Sequence, residues 1–436
     1  MAERRLFGTD GVRGPVGEFL TAELAMALGR AAASAIDAGR PRVLIVRDTR
    51  ESGPMLEAAL AAGIAEGGGD AMTAGVLPTP AASVLARRLD FDLAAVVSAS
   101  HNPYGDNGIK FFDRSGTKLD DEMEASIEAR LEDPAGAEAG RVDELGGAFD
   151  DYIRELRTAF GDLDLSGRTI ALDCANGATY RVAPAIFERL GATVLASATE
   201  PDGRNINDGC GAIHTQPLAE RVGASEAEIG FAFDGDGDRL IAIDGEGGVH
   251  DGDELIALAA RHLSAAGELA GGVAVTVMTN YGFHAAMQAE GIEVAQTKVG
   301  DRYVSEALRE RDWTLGGEQS GHIIWTGFTP SGDGIAAALL TLRALGDRRL
   351  GQVEAFERLP QRMQNVRIAD RSAVARAEAL WAAVEEENGK LEGRGRVLVR
   401  PSGTEPLLRV MVEAPSDGEC EQVCSRLVAM VETEFG

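Results

Sequence analysis

One unit recurs along the chain, and it limits the fold more than any other feature. The apolar run Val43-Leu44-Ile45-Val46 ends in Arg47-Asp48-Thr49, and Met55, Leu56, Leu60 and Ile64 follow at helical spacing. Thr169 to Leu172 ends in Asp173-Cys174-Ala175-Asn176-Gly177; a helical stretch through Ile186 and Leu190, then Gly191, lead to a short run at Thr193 to Leu195. Val273 to Met278 ends in Thr279-Asn280-Tyr281-Gly282; a helix through Met287, then Gly291, lead to a strand at Ile292 to Ala295. Strand, polar turn, helix, glycine, strand is the grammar of a βαβ unit. Three such units predict three related α/β domains of about 100 to 150 residues each.

The pattern changes after Arg367. A helix over about 372–387, strands at 397–399 and 408–412, and a last helix over about 417–433 predict a smaller C-terminal α+β domain. Glu132 to Gly147, rich in Gly, Ala and acids with Pro134 inside, predicts a loop leading into the helix that joins the first two domains. The expected domains are 1–150, 151–251, 252–366 and 367–436.

Charge narrows the partners. Asp plus Glu number 70 against 42 Lys plus Arg, a formal charge of −28. Such a chain repels nucleic acid and anionic lipid, so an anion must be held by a local basic cluster. The 54 glycines follow no fixed period, which suggests many tight loops. The four cysteines are too sparse for a disulfide framework; Cys420 and Cys424 share a helical face with no second ligand pair nearby. No signal peptide is evident behind Arg4 and Arg5, and the apolar run Ile335 to Leu342 is too short to span a bilayer. A cytoplasmic location is expected.

Five segments carry chemistry. Asp234-Gly235-Asp236-Gly237-Asp238-Arg239 lies between the strands Ile229 to Phe233 and Leu240 to Ile243. Carboxylates at alternate positions converge only where glycine permits a tight backbone, and three hard oxygens suit Mg²⁺. An EF-hand fails on spacing, with Arg239 at its glycine position and Gly245 at its glutamate position. Ser98-Ala99-Ser100-His101-Asn102-Pro103 follows the buried strand Leu93 to Val97, and Asp106 to Lys110 comes soon after. A serine at such a strand end is presented where α/β sites form, with His101 and Lys110 as proton-transfer groups. An Asx-type turn before Pro103 is the competing reading; a serine hydrolase lacks its G-x-S-x-G context. Arg400-Pro401-Ser402-Gly403-Thr404-Glu405-Pro406, with Arg409, offers hydroxyls, open N–H groups and two guanidiniums for a phosphate. Gly316-Gly317-Glu318-Gln319-Ser320-Gly321-His322 is a Gly-flanked polar loop suited to sugar hydroxyls, though taken alone it reads better as an ordinary loop, and Gly8-Thr9-Asp10-Gly11-Val12-Arg13-Gly14 sets Arg13 in a Gly-framed turn.

Together, in this order, these segments resemble the α-D-phosphohexomutase superfamily over essentially the whole chain. The first segment, Asp106 to Phe112, Asn205 to Gly211 and the 316–322 loop are most similar to its bacterial phosphoglucosamine mutase branch. The resemblance implies four domains around a central cleft, and interconversion of glucosamine 6-phosphate and glucosamine 1-phosphate through a phosphoserine and a 1,6-bisphosphate that serves as intermediate and activator. It makes Ser100 the phosphoserine. Asp234, Asp236 and Asp238 would hold Mg²⁺ with its phosphate. Arg13, His101, Lys110 and Arg239 would surround the transferring group, with Lys110 a candidate acid or base. Glu318, Gln319, Ser320 and His322 would meet the sugar. Arg400, Ser402, Gly403, Thr404 and Arg409 would grip the non-reacting phosphate. Three Asp and a phosphoserine carry about −5, which one Mg²⁺ and three cations would offset. The resemblance is compatible with a homodimer.

Gly211 to Gln216 and Trp325 to Gly334 depart from the branch's usual pattern, away from the catalytic motifs. Two alternatives stand beside this reading. One is a phosphoglucomutase or phosphomannomutase, against which Gln319 argues, since those relatives often carry Met there. The other is a non-catalytic sugar-phosphate-binding regulator, against which the intact Ser100, Lys110 and three Asp argue.

Overall fold

A computed structural model describes residues 6–8, 10–133, 138–368, 374, 376–401 and 407–435. The described chain builds four sheets. The first has six strands in the order Val12–Pro15, Asp106–Asp113, Leu93–Val97, Arg42–Arg47, Asp70–Val76, Val142–Glu144. Leu93–Val97 runs parallel to Arg42–Arg47 and is buried at every residue, because helices cover both faces of such a sheet. The second has five strands in the order Val249–His250, Leu240–Asp244, Ile229–Phe233, Thr169–Asp173, Thr193–Ser197. The third has four, in the order Val294–Thr297, Val273–Thr276, Leu315–Gly317, Ile323–Trp325. The fourth is antiparallel: Gln361–Arg367, Leu407–Glu413, Arg396–Pro401. Three mixed α/β sheets and one small antiparallel sheet with helices give the fold class the sequence implies.

Several details differ from the sequence reading. The 132–147 stretch is not all loop: Val142–Glu144 pairs in parallel with Ala71–Thr73 as an edge strand. It is exposed throughout, so no apolar alternation marks it. The third unit's second strand is Val294–Thr297, two residues later than expected, and its first strand stops at Thr276. The helix expected over 372–387 is described as Glu378–Leu391; Ala377 has ψ 75° and is not helical, and buried Leu380, Val384, Glu387 and Leu391 carry the inward face past 387. Positions 372 and 373 lie outside the described residues.

The chain divides into two compact units, Met1–Met278 with Ala295–Val353, and Thr279–Val294 with Glu354–Gly436. In the second unit the helix Tyr281–Ala289 is tied to the C-terminal sheet. Asn280 Nδ2 donates to Glu413 Oε1 at 3.2 Å and Tyr281 N donates to Glu413 Oε2 at 3.1 Å. Arg396 Nε reaches the same buried carboxylate at 2.6 Å. Cys420 and Cys424 are buried there with free thiols. Among the described residues no helix is long and apolar enough to cross a membrane.

Candidate active site

Within the first unit, the loops after Leu93–Val97 and Ile229–Phe233 meet at the carboxyl ends of their strands, where open α/β sheets place ligands. Ser100 is 2% exposed, and its Oγ donates to Asp234 Oδ2 at 2.5 Å. His101 Nδ1 lies 3.2 Å from the same Oγ. Oxygens of Asp234, Asp236 and Asp238 lie within 4.8 Å of one another, all buried. Glycine makes this approach possible. A Cβ on Gly235 would stand 2.5 Å from Ser100 O, and Gly177 packs so close that its own Cβ would stand 2.3 Å from Gly235 O.

Lys110, on Asp106–Asp113, points into the same place. Its Nζ donates to Asp236 Oδ2 at 2.7 Å and lies 3.6 Å from Asp238 Oδ2. Burial opposes its charge, but Asp10, Asp236 and Asp238 overcome this and hold the ammonium above its usual range. Burial and the two neighbouring carboxylates push Asp234 well above the carboxylate range. Asp236 and Asp238 are buried too, yet Lys110, joined at Asp238 by His322, holds both below it. Arg13 pairs with Asp10, and Arg239 Nε lies 4.0 Å from Asp238 Oδ1. Burial, then Arg239 and Arg13, lower the His101 pKa.

The carboxylates fit a hard cation on their own geometry. Among the described residues, Asp236 Oδ1 and Asp238 Oδ1 are buried with no hydrogen-bond partner. Buried polar atoms are rarely left orphaned, and two on converging carboxylates ask for a cation. Among the described residues no other cluster of three such side chains converges this way.

The 318–322 loop is bolted to this centre through its backbone. Leu240 N donates to Gly321 O at 3.0 Å, and Gly252 N to Gln319 O at 3.0 Å. His322 Nδ1 lies 3.6 Å from Asp238 Oδ2, and its Nε2 lies 3.8 Å from Asp301 Oδ2. Glu318 Oε1 accepts from Gly300 N at 3.0 Å. Gln319 Nε2 donates to Asp251 Oδ2 at 3.0 Å, and Ser320 is exposed.

In the second unit, Arg400 and Arg409 are cross-strand partners. Burial and the Arg409 charge lower the Arg400 pKa, and Arg409 Nε is buried with no hydrogen-bond partner among the described residues. The two guanidiniums stand as a local basic pair in an acidic chain. Ser402, Gly403 and Thr404 lie outside the described residues.

Sequence reasoning misses several side chains at the centre. Asp10 contacts Arg13, Lys118 and Lys110 together, and Lys118 also bonds Asp301. Thr79 Oγ1 donates to Asp236 Oδ2 at 2.6 Å. Arg50 and Asn207 reach the Ser100 turn. Asp10 shares its Gly-framed run with Arg13, a usable signal; the others reach partners at the site 50 to 183 residues away and leave no local trace.

Comparison with known proteins agrees along the whole chain. Models of phosphoglucomutase/phosphomannomutase alpha/beta/alpha domains I, II and III match residues 4–137, 150–248 and 251–363, and that of the C-terminal domain matches 363–430. A phosphoglucosamine mutase of Desulforudis audaxviator is 50% identical, over 98% of this chain and 97% of its own length. That of Bacillus subtilis is 44% identical over 99% of both. A solved phosphoglucomutase/phosphomannomutase family protein of Burkholderia thailandensis superposes with a TM-score of 0.83 at 25% identity, covering 99% of this chain and 98% of its own. An N-acetylphosphoglucosamine mutase of Aspergillus fumigatus, solved with GlcNAc-6P and magnesium, shares the fold with a TM-score of 0.72 at 18% identity, covering 100% and 96%. The chain belongs to the phosphoglucomutase/phosphomannomutase family.

Proposed function

We propose that this protein is a phosphoglucosamine mutase, which interconverts glucosamine 6-phosphate and glucosamine 1-phosphate. The observation that carries this is Ser100 Oγ, buried and 2.5 Å from one of three converging carboxylates, in a chain that shares 44–50% identity with phosphoglucosamine mutases along nearly its full length. Phospho-Ser100 passes its phosphoryl to the free hydroxyl of the monophosphate: the new P–O bond forms as P–Oγ breaks, the sugar hydroxyl gives up its proton and Ser100 Oγ takes one, giving glucosamine 1,6-bisphosphate. The bisphosphate then returns its other phosphoryl to Ser100. In-line positioning and charge neutralisation set the rate of such a step. Arg13, Lys110 and Arg239 supply cations around the transferring group. His101 Nδ1, 3.2 Å from Oγ, is within reach to give or take the seryl proton. Asp234, Asp236 and Asp238, with an oxygen of the seryl phosphoryl, would hold Mg²⁺, which when bound supplies positive charge against that phosphoryl. Glu318 would pair with the substrate amino group, and Gln319, Ser320 and His322 would border the sugar. Arg400 and Arg409, with Ser402, Gly403 and Thr404, would hold the phosphate that is not reacting.

The test is an assay with glucosamine, glucose and mannose 1-phosphates, each with catalytic hexose 1,6-bisphosphate. The expected result is the highest kcat/KM for glucosamine 1-phosphate. A higher value for glucose or mannose 1-phosphate would assign the chain to its phosphoglucomutase or phosphomannomutase relatives instead.

A further inference from the structure

The Ser100 turn is held by two side chains that touch neither a carboxylate of the acidic loop nor the sugar loop. We propose that Arg50 and Asn207 are positioning residues for phosphoryl transfer: together they grip the Ser100 and Asn102 carbonyls and so aim Ser100 Oγ. This rests on the reading of Ser100 as the phosphoryl carrier.

The geometry is a closed ring. Arg50 is 0% exposed, and its Nη2 donates to Ser100 O at 3.0 Å and Asn102 O at 2.8 Å. Asn207 Nδ2 donates to the same two carbonyls, at 3.0 and 3.3 Å. The amide side of Ser100 is tied to the same cluster. Ser100 N donates to Ser98 Oγ at 3.0 Å, Ser98 Oγ donates to Asp48 Oδ2 at 2.5 Å, and Asp48 Oδ1 accepts from Arg50 N at 2.9 Å. Arg50 Nε closes the ring 3.2 Å from Asp48 Oδ2.

Ser100 needs such restraint. Its φ is +50°, in the left-handed region that residues with a Cβ enter only when their surroundings enforce it. Returning φ of Ser100 to an ordinary value would turn Cβ, and with it Oγ, relative to the two flanking peptide planes. The clamp fixes both. A third wall comes from Gly235, whose missing Cβ leaves room for Ser100 O and Asn207 Nδ2. A buried guanidinium is an expensive way to fill a core, and its use here goes to two backbone carbonyls of the turn that carries the reacting serine. Asn207 comes from the Asn205 to Gly211 run, which has no place among the residues that meet substrate.

Two variants test this without stripping the fold. Arg50→Lys keeps a cation beside Asp48 but removes Nη2, the nitrogen that reaches both carbonyls. Asn207→Gly deletes the amide while keeping a residue at ease with the observed φ of +58°. Each should lower kcat about 10- to 100-fold, because small displacements of a reacting atom cost rate steeply. KM for glucosamine 1-phosphate should stay within about twofold, because the clamp touches no substrate-binding group. The phosphorus-31 resonance of Ser100, loaded from glucose 1,6-bisphosphate, should shift or broaden in both variants. Wild-type kcat and an unmoved resonance would overturn the proposal. So would a kcat loss that vanishes once rates are divided by the folded fraction from circular dichroism. Wild-type enzyme inert toward glucosamine phosphates would overturn the substrate assignment alone, since the seryl resonance reports on the clamp whichever sugar is used.

Discussion

Replacing Thr79 with Val should weaken metal binding from a position that is not itself a ligand. Thr79 is fully buried, and its hydroxyl donates to Asp236 Oδ2 at 2.6 Å while its N–H donates to Asp236 O at 2.8 Å. The same Oδ2 takes Lys110 Nζ at 2.7 Å, which leaves Oδ1 with no partner and available to a cation. Val has the shape of Thr but puts a methyl where the hydroxyl was. A hydrogen bond to a charged group is worth about 1.5–3 kcal/mol, and Lys110 still serves Oδ2, so the lower part of that range applies. The methyl also needs about 3.5 Å from the oxygen rather than 2.6 Å, and so pushes the carboxylate by most of an ångström. Mg²⁺ demands near-ideal octahedral oxygens, and loss of a group that orients a ligand typically costs about 10- to 100-fold in affinity. Titration calorimetry of Mg²⁺ into dephosphorylated protein should show a Kd raised at least about tenfold in Thr79→Val and near wild type in Thr79→Ser. A Kd unchanged in Thr79→Val would refute the claim that this hydroxyl sets the Asp236 carboxylate.

Three further outcomes are expected. Ser100→Ala should abolish turnover and the added phosphate in intact mass, while stability falls by no more than the loss of one buried hydrogen bond, about 1–3 kcal/mol. Arg409→Ala should raise KM for both monophosphates by roughly 10- to 150-fold, from the loss of one charge-assisted bond; an unchanged KM in both directions would remove this strand from the binding site. Asp333→Asn should stabilise the protein at neutral pH. Asp333 is buried, and desolvation raises its pKa from 3.8 to about 6 against the hydrogen bonds from Tyr152 and Ala336. Its protonated form is therefore favoured in the fold, and stability is lost as pH rises from about 4 through about 6. Two pK units are worth roughly 3 kcal/mol, so the variant should gain about 1–3 kcal/mol above pH 6 and nothing below pH 4, measured by urea unfolding across pH.

The parts of the site that were legible in sequence share one property: each packs its chemistry into six or seven consecutive residues. Ser98 to Pro103 and Asp234 to Arg239 follow apolar strands, so position and chemistry are both visible locally. Thr79 and Arg50 carry no such mark. Their partners are Asp236, 157 residues on, and the Ser100 carbonyl, 50 residues on. A carbonyl is the same at every position, so no residue choice at the acceptor announces the bond. The edge strand Val142–Glu144 was hidden for a related reason, since it is held by backbone pairing and exposes all its side chains. The end of the helix Glu378–Leu391 was missed because Glu387 is an inward-facing position filled by a carboxylate, which pairs with Lys390 and Arg426. An apolar periodicity cannot see it.

The backbone anchoring of the 318–322 loop separates two things that enzymes often entangle. Leu240 N and Gly252 N hold Gly321 O and Gln319 O, and Glu318 N pairs with His322 O, so main-chain bonds hold the path of the loop at three points. Glu318 and Gln319 add side-chain ties to Gly300 N and Asp251, whereas Ser320 is exposed and can be exchanged with those main-chain bonds kept. A replacement at Ser320 alters what the loop presents while the bond from Leu240 N to Gly321 O, next to Arg239, is kept. On the proposed reading of this loop as the sugar's neighbour, sugar preference can be altered at an exposed side chain without rebuilding the phosphoryl-transfer machinery.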